Sequence, residues 1–298
     1  MVRTVLISAT GLLGSKLFSL LSSRGFDVVG TSSGDKRFIS FDLSEPDVGR
    51  LRSLKPDVVI VSGAYTDVDG CEMDRMSCFK VNCYGVQAVA SNVDAHLIYV
   101  STDYVFGGER SLWVETDVPR PLQWYGVTKL CGEHAVMAYA RKWTVLRPST
   151  LFGYGGRKVN FGMFVARDLT AGRVVKAFVD LYSTPTLADN LAEAVVEVVE
   201  REITGLFHFS GVTRASRYQW ALEIARRLGR EELVVPAASS EARWVAKRPR
   251  NSSLDSLYVD VVFKTRRLNL SEAVEKFVSE FRRYEGCGEG FRHSYSSS

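Results

Sequence analysis

The stretch Val5-Leu6-Ile7-Ser8-Ala9-Thr10-Gly11-Leu12-Leu13-Gly14 decides how the rest of the chain is read. A short apolar run ends in a turn with two glycines three apart, and a helical pattern follows from about Leu13 to Ser23. Glycines in such a turn let backbone approach a pyrophosphate, while the helix amino terminus offers N–H donors and the positive end of its dipole. A plain strand-to-helix connection carries the same glycines, so the surroundings must decide. Outward from the turn, β-branched runs at Asp27–Gly30, Asp57–Ser62, His96–Val100 and Thr144–Leu146 alternate with helical patterns. One of those patterns carries Phe79, Val81, Val86 and Val89, and another spans about Leu122 to Tyr139. Alternation of this kind predicts an α/β fold, a doubly wound parallel sheet of Rossmann type.

The second half is less regular. Leu191, Ala194, Val195, Val198 and Val199 mark one face of a helix, Leu206–Phe209 reads as a strand returning to the sheet, and helices are expected at Tyr218–Leu228 and Ser271–Tyr284. The expected division is a dinucleotide-binding unit at 1–150 and 184–210, and a smaller carboxyl-terminal substrate lobe at 151–183 and 211–285. Residues 286–298, with three glycines and four serines, are expected to form a flexible tail.

Composition narrows the function classes. The 298 residues are 46% hydrophobic and 24% charged, which excludes collagen-like, coiled-coil and largely disordered chains. A net charge of +4 with scattered basic residues gives no reason to expect nucleic acid as a partner. No apolar run approaches the roughly 20 residues of a membrane span, and no export signal is read, so a cytoplasmic location is expected. Cys71, Cys78, Cys83, Cys131 and Cys287 form no C-x-x-C pair and are mostly expected to be reduced and buried. The four histidines are dispersed, and no metal site is predicted.

Chemistry is suggested by Tyr125-Gly126-Val127-Thr128-Lys129. Residues four apart share one helix face, so the phenol and the ammonium can converge, and a cation beside a phenol lowers its pKa. Tyr154 and Lys158 repeat the spacing, but inside a glycine-rich stretch where no helix would align them. Tyr125 also opens a helix after the strand ending Val100-Ser101-Thr102-Asp103, and strand carboxyl ends are where this fold binds ligands. Thr102 could donate to the same substrate oxygen; a turn or cap role for Thr102 and Asp103 is the plainer alternative. After the second strand, Thr31-Ser32-Ser33-Gly34-Asp35-Lys36-Arg37 offers hydroxyls, one acid and two bases. That mixture favours NADP(H) as cofactor, with NAD(H) also compatible.

Several longer motifs point one way. Ser101-Thr102-Asp103-Tyr104-Val105-Phe106, Trp113-x-Glu115-Thr116-Asp117, Pro121-Leu122-x-x-Tyr125-Gly126-x-Thr128-Lys129-Leu130-x-Gly132-Glu133 and Arg248-Pro249-x-Asn251-Ser252-x-Leu254 together resemble the dTDP-4-dehydrorhamnose reductase family of extended short-chain dehydrogenases. Ala64-Tyr65-Thr66-x-Val68-Asp69, Asn82, Asn160-Phe161, Pro185-Thr186 and Leu191-Ala192 extend the likeness over roughly residues 5 to 285. The resemblance implies NAD(P)H-dependent reduction of the C4 ketone of a nucleotide-linked 4-keto-6-deoxy sugar, in dTDP-L-rhamnose biosynthesis. It implies that Tyr125 protonates the C4 oxygen, Thr102 polarises the carbonyl, and Lys129 holds the nicotinamide ribose and tunes Tyr125. By the same likeness Gly11, Leu12, Leu13 and Gly14 form the pyrophosphate turn, Asp42 and Leu43 flank the adenine, and Gly63, Ala64 and Tyr65 lie beneath the cofactor. Asp103, Tyr104 and Asn160 are implied to line the sugar site, while the basic stretch around Arg248 is expected to meet the substrate diphosphate.

Departures from the pattern are Ser8 in place of the first glycine, Ser62-Gly63 before Ala64, the pair Gln123-Trp124, and Asp180–Ser183 before Pro185. Tyr104 stands where dehydratases of the superfamily carry a glutamate, which disfavours dehydration; an epimerase or dehydratase is the weaker alternative. The chain is also similar to the beta subunit of methionine adenosyltransferase, so a non-catalytic NADP-binding regulatory subunit is the alternative of a different class. A homodimer is expected by the same likeness.

Overall fold

The computed structural model describes residues 2–285, so the expected tail at 286–298 lies outside the described residues. In chain order the first half runs β1 (Arg3–Ile7), α1 (Leu12–Ser23), β2 (Asp27–Ser32), β3 (Ile39–Ser40), α2 (Val48–Ser53), β4 (Val58–Val61), α3 (Val68–Met73), α4 (Arg75–Phe79), a π-helical turn (Lys80–Tyr84), α5 (Gly85–Asn92), β5 (His96–Val100), α6 (Trp124–Tyr139) and β6 (Lys142–Leu146). The second half adds β7 (Leu151–Phe152), α7 (Phe161–Thr170), β8 (Val175–Phe178), β9 (Tyr182–Ser183), β10 (Thr186–Leu187), α8 (Ala188–Arg201), β11 (Gly205–Phe207), β12 (Ala215–Ser216), α9 (Arg217–Leu228), β13 (Val234–Ala237), α10 (Val259–Val262) and α11 (Leu270–Glu285).

Seven strands form one parallel sheet in the order β11-β6-β5-β4-β1-β2-β3. β1 is central: Val5 faces Val29 on one side and Val59 on the other. Its residues are apolar on both faces because helices cover both. On one face Leu13, Leu17 and Leu21 of α1 pack with Leu191, Val195 and Val198 of α8; on the other, Val86 and Val89 of α5 meet Val136 of α6. The strand order reverses between β1 and β4, and the cleft at the carboxyl ends of such a switch is where doubly wound folds bind ligands.

A separate cluster holds the lobe. Phe152, Trp220, Phe277 and Phe281 bury their rings among α7, α9 and α11, beside the parallel pair β8 and β13. β11 joins the main sheet although it follows the first lobe segments in sequence.

The helical pattern around Phe79–Val89 forms as α4 and α5 with a π-helical turn between them. Such turns add a residue to the helix and re-aim a side chain, commonly at functional sites. Asn82 lies within this turn and is buried. The cysteines differ from the expectation. Cys71 pairs with Cys78 and Cys83 with Cys131, so four of them are disulfide-bonded rather than reduced. The spacing gave no sign of this, because the pairings arise from α3 meeting α4 and from the π turn meeting α6.

Candidate active site

The turn after β1 sets one wall of the cleft. Ser8, in the first glycine position, adopts φ 71, and its carbonyl lies so close to α1 that a Cβ at Gly14 would meet it at 2.0 Å. Only glycine fits there. Gly11 begins α1 with no side-chain cap and no acid in the first turn, leaving the amino-terminal N–H groups for an anion. Beneath the turn, Asn82 accepts from the Tyr65 N–H at 2.8 Å and donates to the Tyr65 carbonyl at 3.1 Å, which fixes the Gly63–Tyr65 loop. Buried Leu43 flanks Gly63, while the exposed Asp42 carboxylate accepts from Ser44. The residues expected to hold a dinucleotide thus converge along one trough, and the uncapped helix fits a pyrophosphate.

The residues expected to carry the acid–base chemistry lie at the end of β5 and the start of α6. Tyr125 lies half-buried in the first turn of α6, with its ring edge-on to Tyr104 at 6.1 Å. Burial raises the phenol pKa well above its ordinary value; the Thr102 hydroxyl beside it opposes the shift, and Asp103 and Tyr104 reinforce it. Lys129 is buried, donates to the Val100 carbonyl at 2.7 Å and lies 4.1 Å from the centroid of the Tyr99 ring. Burial lowers its pKa to about 7, with Glu133 opposing the shift. The Lys129 ammonium is thus engaged by a carbonyl and a ring, and burial is the largest influence on the Tyr125 phenol.

Thr102 and Asp103 are brought beside Tyr125, yet Asp103 is fully engaged. Its carboxylate accepts from Thr102 at 3.1 Å, Ser149 at 2.8 Å and Ser252 at 2.5 Å. Burial raises its pKa while the three hydroxyls lower it. Asp103 thereby ties the Ser252 segment to the end of β5. Asn160 is likewise used internally, accepting from the Met163 N–H at 3.2 Å as the cap of α7 and donating to the Gly153 carbonyl at 2.8 Å. Arg248 forms an ion pair with Asp69 at 3.1 Å and lies over the Trp244 ring.

Two groups that sequence reading did not single out lie beside these residues. Arg217, the first residue of α9, stacks on Phe161 and Trp220, donates from Nη2 to the Thr150 hydroxyl at 3.4 Å, and keeps a buried Nη1 with no hydrogen-bond partner among the described residues. Asp103 and Arg248 also act on it electrostatically, so it faces the same space. Gln123, at the start of α6, is buried with neither end of its amide partnered. Unpartnered buried polar atoms are costly, and they cluster where a polar ligand completes them. No pattern in the sequence marks either one, because both reach the site through the packing of the lobe on the sheet.

A dinucleotide trough at the carboxyl edge of a doubly wound sheet, faced by Thr102 and a Tyr-x-x-x-Lys helix, defines an extended short-chain dehydrogenase/reductase. The comparisons with known proteins narrow this. A family model described as RmlD substrate binding domain matches residues 2–283, and the chain belongs to that family. It is 34% identical over 262 residues, 83% of this chain and 87% of the relative, to a probable low-salt glycan biosynthesis reductase of Haloferax volcanii. It is 32% identical over 283 residues to a dTDP-4-dehydrorhamnose reductase of Aggregatibacter actinomycetemcomitans, covering 88% and 94% of the two chains. Among solved structures, the Bacillus anthracis dTDP-4-dehydrorhamnose reductase in complex with NADP superimposes with a TM-score of 0.86 at 26% identity, over 94% of this chain and all of that one. The chain is an oxidoreductase of this family. Among the described residues no helix is long and apolar enough to cross a membrane.

Proposed function

We propose that this chain reduces the C4 ketone of a nucleotide-linked 4-keto-6-deoxy sugar of the dTDP-4-dehydrorhamnose type, using NADPH in preference to NADH. The observation that carries the reading is the half-buried Tyr125 phenol beside the Thr102 hydroxyl, in a chain whose α1 begins uncapped at the carboxyl end of β1. The cofactor, when bound, supplies the hydride. Leu12, Leu13 and Gly14 offer backbone donors to its pyrophosphate, and Gly63, Ala64 and Tyr65 support it from below.

Tyr125 donates the proton that the C4 oxygen needs as it becomes an alkoxide. The phenol is protonated at neutral pH, which is the state a general acid must start from. Thr102 donates to the same oxygen and orients it. Lys129 exchanges the Val100 carbonyl for the nicotinamide ribose, bringing its charge toward the phenol as the proton leaves. Tyr104, Gln123, Arg217 and Arg248 face the sugar diphosphate, while Asp103 and Asn160 hold the walls in place. A cytoplasmic homodimer belongs to the same reading, and size-exclusion chromatography tests its second part.

The direct test follows NADPH oxidation by absorbance, with dTDP-4-dehydrorhamnose, comparing wild type with Tyr125→Phe. Turnover lost with one hydroxyl, while NADPH binding persists, supports the reductase. Wild type that binds NADPH and reduces no keto-sugar nucleotide sinks it and favours the regulatory-subunit alternative.

A further inference from the structure

The glycine-rich segment 153–160 joins β7 to α7 as a strap across the dinucleotide trough. It touches the trough at three places. Gly156, at φ 79, lies so near the start of α1 that a Cβ there would meet Leu12 Cα at 2.9 Å and Leu12 N at 3.0 Å. The Lys158 ammonium stands 5.9 Å from the centroid of the Tyr65 ring. Arg157 Nη2 reaches the Asp35 carboxylate at 3.5 Å. Leu12 belongs to the pyrophosphate turn, Tyr65 to the loop beneath it, and Asp35 to the segment following β2. One short segment therefore leans on the pyrophosphate turn, on the loop beneath it and on the segment after β2.

Asp35 occupies the corner where dinucleotide-binding folds distinguish a ribose 2′-hydroxyl from a 2′-phosphate. An acid there ordinarily repels the phosphate. Here the acid is outnumbered: Arg37 donates to it from Nε at 3.0 Å, from Nη2 at 2.7 Å and from its backbone N–H at 3.1 Å, and Arg157 approaches from the strap. Two guanidiniums thus face one carboxylate. A guanidinium has donors on two edges, so it can keep one anion while it takes a second.

We propose that Arg157 is a cofactor-selecting residue, which binds the 2′-phosphate of NADP(H) from the strap and draws the strap down over the bound dinucleotide. The inference rests on the reductase reading, since it concerns the same trough. NADH has no anion at this position and gains nothing from Arg157. The residue escapes motif reading because the usual place to look for a phosphate-binding arginine is just after β2, where Arg37 lies, and Arg157 arrives from the segment between β7 and α7, more than a hundred residues later.

The test measures dissociation constants for NADPH and NADH separately, by quenching of tryptophan fluorescence, in wild type, Arg157→Ala and Arg157→Lys. A charge-assisted hydrogen bond at a half-exposed site predicts that Arg157→Ala weakens NADPH about tenfold and leaves NADH within about twofold. Arg157→Lys should recover part of the loss, and raising the salt concentration should shrink the difference. Equal NADPH affinity in wild type and Arg157→Ala, or an equal loss for both cofactors, overturns the assignment and leaves the reductase reading standing. Wild type that binds neither cofactor removes both.

Discussion

Glu133 and Arg147 form a buried ion pair between α6 and the end of β6, with Nη2 2.6 Å from Oε2 and Nε 2.9 Å from Oε1. Their side chains are 0% and 3% exposed. Glu133 lies one helical turn beyond Lys129 and also accepts from the Ser101 hydroxyl, so the pair ties α6 to the carboxyl ends of both β5 and β6. Removing one partner leaves the other charge buried without compensation. Glu133→Ala should therefore lower stability by about 3–5 kcal/mol, read by chemical denaturation. The double variant Glu133→Leu/Arg147→Met should cost less than Glu133→Ala alone, and a single-variant loss below about 1 kcal/mol would contradict the role given to the pair.

Arg217 should matter for substrate more than for cofactor. Its unpartnered Nη1 points to an anionic or hydroxyl-rich ligand on the Tyr104 side of the cleft. Arg217→Met keeps much of the stacking on Phe161 and Trp220 and removes the charge. Steady-state kinetics should show KM for the sugar nucleotide raised about tenfold, with the NADPH dissociation constant unchanged. Arg248→Ala should move KM in the same direction, because releasing its ion pair with Asp69 frees it for a diphosphate. A change confined to NADPH affinity would remove both residues from the sugar side.

The elements legible in the sequence are those whose burial is periodic. Leu191, Ala194, Val195, Val198 and Val199 are all buried on one face of α8, as their spacing requires. The Val58–Val61 run is fully buried because helices cover both faces of the sheet. The Tyr125–Lys129 spacing could be read as a shared helix face, but the engagement of Lys129 with Val100 and Tyr99 depends on how α6 lies against β5. The same holds for the disulfides and for Arg217, which are products of tertiary packing between segments far apart in the chain. Segment 153–160 reads as irregular from its glycines; that it leans on Leu12 and Asp35 does not.

The Cys83–Cys131 disulfide joins the π turn that carries Asn82 to the helix that carries Tyr125 and Lys129, across a sequence separation of 48. Closing a loop of that length removes chain entropy from the unfolded state worth about 4 kcal/mol in the simple model. Reductant should lower the melting temperature of wild type by several degrees. A variant with alanine at Cys71, Cys78, Cys83 and Cys131 should melt at the same temperature with or without it. Identical melting of oxidised and reduced wild type would show that neither bridge contributes.

Lys129 gives stability a pH dependence whose sign can be worked out. Burial depresses its folded pKa from the ordinary 10.5 to about 7, so between those values the unfolded chain binds a proton that the folded chain does not. Stability contributed at this residue therefore rises as pH increases from about 7 toward 10, and below 7 the full cost of burying the ammonium is present. Lys129→Met removes the titration and keeps an unbranched side chain in the same space. The melting temperature of wild type relative to Lys129→Met should increase between pH 7 and pH 9.5, measured by differential scanning calorimetry in matched salt. A constant difference across that range would mean that Lys129 keeps its proton in the folded state, held by the Val100 carbonyl and the Tyr99 ring strongly enough to offset its burial.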